Sequence, residues 1–207
     1  MRTYPTVRIR DVAQFLKGKK PSITYDKVTN NAVPHILIEN FGGRYTSYTD
    51  DQGCVHCDRN DTIIVADGAS TGLVSTNHEG CIGSTLGALR PKQSKVNPRY
   101  LYFFTQSNFI TLNTRTRGAA IPHLEKELLL NLEFTLPPLV EQERIVRLLD
   151  EADALRRLRT EADMDLIIEE ERIGRKVADD CTKSEQCKPS PPQCDSGRSF
   201  QEPGDRK

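Results

Sequence analysis

Four side chains that bind soft metals cluster in the first half of the chain. Cys54 and Cys57 stand two residues apart, and His78 and Cys81 repeat that gap further on. Two thiolates with two further nitrogen or sulfur donors are the ligand set of a tetrahedral zinc site. Only the first pair is a true Cys-x-x-Cys, and the second is mixed. A small zinc-binding module is one reading, and buried free thiols beside a strand are the other.

Two further patterns carry chemistry of a different kind. The segment Asp67-Gly68-Ala69-Ser70-Thr71-Gly72 follows an apolar run, Thr62–Ala66. Glycines and hydroxyls at the end of a strand offer free backbone N–H groups, and Ser70 and Thr71 can approach a phosphate or base edge. The segment lacks the lysine and spacing of a phosphate-binding P-loop, which argues against nucleotide hydrolysis. A tight turn between two strands is the plainer alternative. The third pattern is basic: Lys17, Lys19 and Lys20 surround Gly18, and Arg115 and Arg117 precede Gly118. Cationic side chains on exposed loops suit phosphate contact and groove entry. A solvated charge run explains either cluster alone, but the two together, with hydroxyl-rich loops, favour a DNA face. His35, His56, His78 and His123 have no partners at the spacing of a nucleophilic triad. No paired carboxylates sit in a recognisable loop either, so the sequence does not support catalysis by this chain.

Three parts position these residues. Residues 1–135 mix short strand-like and helix-like runs into an irregular α+β domain. Val7–Ile9, His35–Ile38, Thr62–Ala66 and Thr85–Leu89 read as strands. Asp11–Leu16 reads as a short helix capped by Asp11. Pro98–Ser107 reads as an amphipathic helix capped by Asn97, with Leu101, Phe104 and Phe109 directed at a core. Residues 136–175 read as a long helix entered through Pro137 and Pro138. Ile145, Leu148, Ala152, Leu155, Arg159, Ala162, Leu166, Glu169 and Ile173 follow at alternating three- and four-residue spacing, and seven of these nine are apolar. So narrow a stripe predicts a coiled-coil seam facing a partner helix, with packing on its own domain as the alternative. Residues 176–207 hold six hydrophobic-class residues, three of them cysteine, and four prolines, and read as a disordered tail.

Equal numbers of basic and acidic residues, 29 of each, conceal an asymmetry. Residues 1–138 carry 16 basic and 12 acidic side chains, and residues 139–175 carry 7 and 11. Two surfaces of different sign suggest two kinds of partner. No apolar run approaches the roughly 18 residues that a membrane span needs. The N-terminus has no secretory pattern, so a cytoplasmic protein with reduced thiols and no membrane partner is expected.

The chain resembles the specificity subunit of type I restriction–modification systems. The resemblance runs over about residues 5–165, through VRIRDVAQFLKGKKP, CDRNDTIIVADGASTG and GCIGSTLGALRP. Its most specific stretch is Arg117–Leu155, where a proline pair, a leucine and Glu141-Gln142 lead into the heptad helix. The family implies one target-recognition domain plus one conserved helical region, a half-subunit or a truncated form of a pattern that usually occurs in tandem. It implies binding of double-stranded DNA at one half of a bipartite site. The implied contacts come from Lys17, Lys19, Lys20, Arg44, Tyr45, Ser70, Thr71, Arg115 and Arg117. Subunit docking would fall to Leu139, Gln142, Ile145, Leu148, Leu149, Ala152 and Leu155. The implied partners are methyltransferase (modification) subunits, an ATP-dependent restriction subunit, and a second copy of the chain through the coiled coil. Cofactors are expected in those partners, as S-adenosylmethionine, ATP and Mg, and none in this chain. The rival expectations are a recognition subunit of another restriction–methylation type, a non-DNA coiled-coil adaptor, and the zinc module.

Overall fold

The run Thr62–Val65 has no polar face, and a strand of that kind needs cover on both sides. It has such cover in the computed structural model, which describes residues 4–92, 95–114 and 122–183. The first elements are β1 (Thr6–Arg8), α1 (Ile9–Val12), β2 (Ala13–Lys17), β3 (Val33–Ile36), a 3-10 turn (Ile38–Gly42), β4 (Tyr48–Thr49) and β5 (His56–Cys57). Then come β6 (Thr62–Val65), β7 (Val74–Ser75), β8 (Gly80–Ile82), β9 (Leu86–Pro91), α2 (Pro98–Ser107) and α3 (Phe109–Thr114). The last are α4 (Lys126–Asn131), β10 (Glu133–Thr135) and α5 (Leu139–Lys183). The chain divides into two units, Met1–Asp153 and Ala154–Lys207, so the first turns of α5 belong to the globular unit.

Two four-stranded sheets form that unit. One has the antiparallel order β2-β9-β6-β7; the other, β4-β3-β8-β5, contains a parallel β3–β8 pair. Side chains alternate along β6 and feed two cores. Ile64 joins Val12, Leu101, Leu112 and Leu129, contributed by α1 to α4. Ile63 and Val65 join Ile36, Cys57 and Ile82 from the second sheet. A central sheet therefore lies between a helical layer and a second sheet, an α+β architecture as the sequence predicts.

Local details differ from expectation where remote pairing decides. Asp11–Leu16 is not a helix. The helix is the four-residue α1, and Asp11 sits in its first turn, accepting the Arg8 backbone N–H at 2.9 Å. From Ala13 the chain extends to pair with β9, Ala13 opposite Pro91 and Lys17 opposite Gly87. Ile9 belongs to α1 rather than to a strand, and β3 starts and ends two residues before His35–Ile38. By contrast, α2 has the expected bounds, with Asn97 Oδ1 accepting from Arg99 and Tyr100. Helix α5 continues to Lys183, eight residues past the expected end, and the rest of the proposed tail, 184–207, lies outside the described residues. Among the described residues, no helix is long and apolar enough to cross a membrane.

Two tight contacts set the edges of the unit. Gly18 ends β2 against the β8–β9 turn, where its N–H donates to Leu86 O at 2.9 Å. A Cβ on Gly18 would lie 2.1 Å from Gly83 O. At the other edge, β1 pairs antiparallel with β10, and Leu136 N–H donates to Pro5 O at 2.9 Å. Replacing Gly18 by Ala is expected to cost about 3 kcal/mol, because backbone must move to admit the methyl. Gly42→Ala, whose Cβ meets nothing within 4 Å, should change stability by about 0.5 kcal/mol or less. Urea unfolding of both variants checks the contrast, and equal losses would show that the close approach is not what limits position 18.

Candidate nucleic-acid interface and docking helix

Of the expected DNA contacts, Lys19, Lys20 and Arg44 have exposed side chains. Lys19 and Lys20 follow directly from the Gly18 contact, and Lys19 N–H donates to Ile82 O at 3.3 Å, so their backbone is fixed. Lys19 also lies beside Asp51. That carboxylate accepts the Ser22 and Gly53 backbone N–H groups, each at 2.7 Å, and these bonds hold its pKa below the ordinary value. Among the described residues, no ion pair occupies Lys20 or Arg44.

Several other predicted contacts are engaged by groups of the protein itself. Lys17 is not a free cation: its Nζ lies 2.6 Å from Asp67 Oδ2, while Asp67 Oδ1 meets His123 Nδ1 at 2.7 Å. Burial alone would raise the Asp67 pKa, but the hydrogen bonds from Lys17 and His123 outweigh it and the carboxyl is held below the usual range. Thr71 is fully buried, and its hydroxyl donates to Gly68 O at 2.6 Å. It closes the turn between β6 and β7 and presents nothing to a ligand, whereas Ser70 is partly exposed. Gly72 completes the turn at φ +90°, where a Cβ would meet Leu112 Cβ at 2.9 Å. Tyr45 is half-buried, with its hydroxyl 2.9 Å from His78 Nδ1. Arg115 and Arg117 lie outside the described residues.

The four residues of the alternative zinc reading do not assemble into one site. His78 is buried, and its second nitrogen, Nε2, is 2.6 Å from Ser75 Oγ, so hydroxyls take both ring nitrogens. Burial pushes its pKa down and keeps the ring neutral. Cys57 faces the core and directs its thiol at His78 O, 3.7 Å away, and burial pushes that thiol up to about 12. No group of three or more His, Cys, Asp or Glu among the described residues is placed to hold a metal.

At the start of α5 the sequence and the structure part at Gln142. Expected on a docking surface, it is fully buried in its own unit. Its Oε1 accepts the Asn97 N–H at 2.7 Å, and its Nε2 donates to Pro137 O at 2.7 Å and Lys95 O at 3.1 Å. Val146, which has no place in the seam, is also buried, and Arg99 pairs with Asp150 at 2.7 Å. Ile145 is half-buried, while Leu139, Leu148, Leu149, Ala152 and Leu155 remain exposed. Sequence reasoning also missed Asp61, fully buried and gripped by Arg90 Nε and Nη2, the latter at 2.7 Å. An Asp-Arg pair 29 residues apart carries no local signal.

A family profile described as "Type I restriction modification DNA specificity domain" matches residues 1–163. The type I restriction enzyme MjaVIII specificity subunit of Methanocaldococcus jannaschii is 28% identical over 156 residues, 73% of this chain and 36% of that protein. The HsdS subunit from Thermoanaerobacter tengcongensis, a crystal structure, aligns with TM-score 0.61 at 25% identity over 73% of this chain and 38% of that one. A chain from a structural study of complex assembly and conformational transition of the type I R-M system aligns with TM-score 0.71 over 86% of this chain and 45% of that one. Its 23% identity makes that a likeness of fold. The chain thus spans less than half the length of these relatives.

The geometry separates two adjacent hydroxyls. Thr71→Ala should cost about 1–2 kcal/mol, since it removes a hydroxyl that is itself fully buried and one of the two donors to the Gly68 carbonyl. Ser70→Ala should stay within about 0.5 kcal/mol of the parent. Thermal unfolding reads both, and an innocuous Thr71→Ala would return that hydroxyl to the list of contact candidates.

Proposed function

The chain belongs to the family of type I restriction–modification DNA specificity domains, and on that premise we propose that it is a non-catalytic recognition subunit reading one half of a bipartite site on double-stranded DNA. The observation that carries this reading is the reach of the family match, which takes in the globular unit and continues along α5. Exposed Lys19, Lys20 and Arg44 would make the phosphate and major-groove contacts, and their exposure supports that reading. Ser70 and half-buried Tyr45 are secondary candidates, and Lys17 supports the face by holding Asp67.

Helix α5 takes the docking role through Leu139, Leu148, Leu149, Ala152 and Leu155, with Ile145 partly covered and Gln142 anchoring the helix root instead. Methyltransferase (modification) subunits using S-adenosylmethionine, and an ATP- and Mg-dependent restriction subunit, would be directed to the site through that surface. A second copy of the chain, paired through α5, would supply the other half-site. The setting is the cytoplasm, where such DNA lies.

Two measurements test the reading. In complex with modification subunits, Lys19→Ala with Lys20→Ala should weaken DNA binding and lower the salt slope by about 2, each phosphate contact contributing about 0.9. An unchanged slope would remove both lysines from the interface, and a complex that methylates no adenine in DNA would overturn the function itself. For self-pairing, Leu148→Asp with Leu155→Asp should convert a sedimenting dimer to monomer. A parent chain that sediments as monomer would rule the pairing out.

A further inference from the structure

Cys54 and Cys81 carry chemistry that DNA recognition leaves unused. In the second sheet Cys81 of β8 stands opposite His56 of β5. Directly opposed residues share a face and successive ones alternate, so Cys81 and His56 point one way while Cys57 points into the core with Ile36, Ile63 and Ile82. Cys54 reaches the Cys81 face from the turn preceding β5. Its Sγ lies 3.4 Å from Nε2 of His56, the residue that stands opposite Cys81 across the strand pair, and the Cys54 sulfur helps to raise the Cys81 pKa. The backbone holds this arrangement: Cys54 N–H donates to Asp51 O at 3.3 Å, Ile82 N–H to Val55 O at 2.9 Å, and Arg90 Nη2 to His56 O at 2.7 Å.

The two thiols differ in kind. Cys81 is fully buried, and burial raises its pKa further out of reach, so it stays protonated. Cys54 is only half-buried, and an exposed imidazole sits against its sulfur. Thiolate character and access are what select a cysteine for oxidation.

We propose that Cys54 and Cys81 form a reversible thiol–disulfide pair, in which a hydroperoxide oxidises Cys54, His56 takes its proton and Cys81 resolves the product. His56, with its own proton on Nδ1, accepts the Cys54 proton at Nε2. The thiolate attacks one peroxide oxygen, the O–O bond breaks, and the departing hydroxide recovers the proton from His56 as water. Cys54 is then a sulfenic acid. The Cys81 thiol passes its proton to the Cys54 sulfenic oxygen as its sulfur attacks the Cys54 sulfur; the S–S bond forms, the S–O bond breaks, and a second water leaves. One peroxide is reduced by two electrons and the two thiols are oxidised by two. The bond would tie the 51–54 turn, and through Asp51 the Ser22 backbone, to β8. The proposal stands on the globular unit alone, whatever the chain binds.

The test uses the full chain, reduced, freed of metal by a chelator, and treated with equimolar hydrogen peroxide before alkylation and peptide mapping. The expected product is a Cys54–Cys81 linked peptide that disappears with dithiothreitol, while Cys57 is alkylated only after unfolding. Cys54→Ser should abolish the link, and His56→Ala should slow its formation by about tenfold or more. His56 is exposed, so that variant reports even if changes at the cysteines disturb folding. The proposal is overturned if the only links join Cys181, Cys187 or Cys194, or if Cys54 passes to sulfinic acid unlinked. A His56→Ala chain that links at the parent rate would equally overturn it.

Discussion

The pairing of Thr62–Val65 with Leu86–Leu89 is the constraint on which the globular unit rests. Each of these strands is covered on both faces, so neither core exists without them. The helical layer closes over Ile64 and Leu89, and the second sheet closes over Ile63, Val65, Leu86 and Ala88. Two turns are tied to that slab: the lysine turn hangs from Leu86 O and Ile82 O, and the hydroxyl turn from Val65 O and Gly68 O, with side-chain bonds from Thr71 and Asn113.

What was legible in the sequence was local. Asn97 before a proline-led helix, the apolar Thr62–Val65 run, and the proline pair ahead of α5 all act through neighbours in the chain, and each has its expected structure. Asp11–Leu16 was not legible. Its apolar spacing fits a helix, but pairing with Leu86–Pro91 offers a full ladder of hydrogen bonds that local propensity cannot match. The buried polar residues show the same limit. Thr71 and Gln142 look like surface groups until Gly68, Lys95, Pro137 and Asn97 are brought around them.

Charge follows a similar rule. A count of basic residues overstates what a ligand meets, because Lys17, Arg59, Arg90 and Arg99 each satisfy a carboxylate of the same unit. Lys19, Lys20 and Arg44 sit in loops, where side chains keep rotamer freedom until something orders them. Along α5 the balance inverts: the acidic and basic side chains pair with one another, as Arg172 does with Glu169, and the exposed apolar residues are left without cover. Surface pairs of that kind contribute little to stability, so the exposed stretch of the helix draws little support from them.

The hydrogen bond from Leu136 to Pro5 has a consequence for how such a protein can vary. It brings the two ends of the globular segment side by side, next to the β1–β10 pair. A segment closed at one point behaves as a cassette. Another segment with the same closure could replace it, and the root of α5, fixed by Pro137 and Gln142 just beyond, would keep its place. The segment and the helix can then change independently of each other.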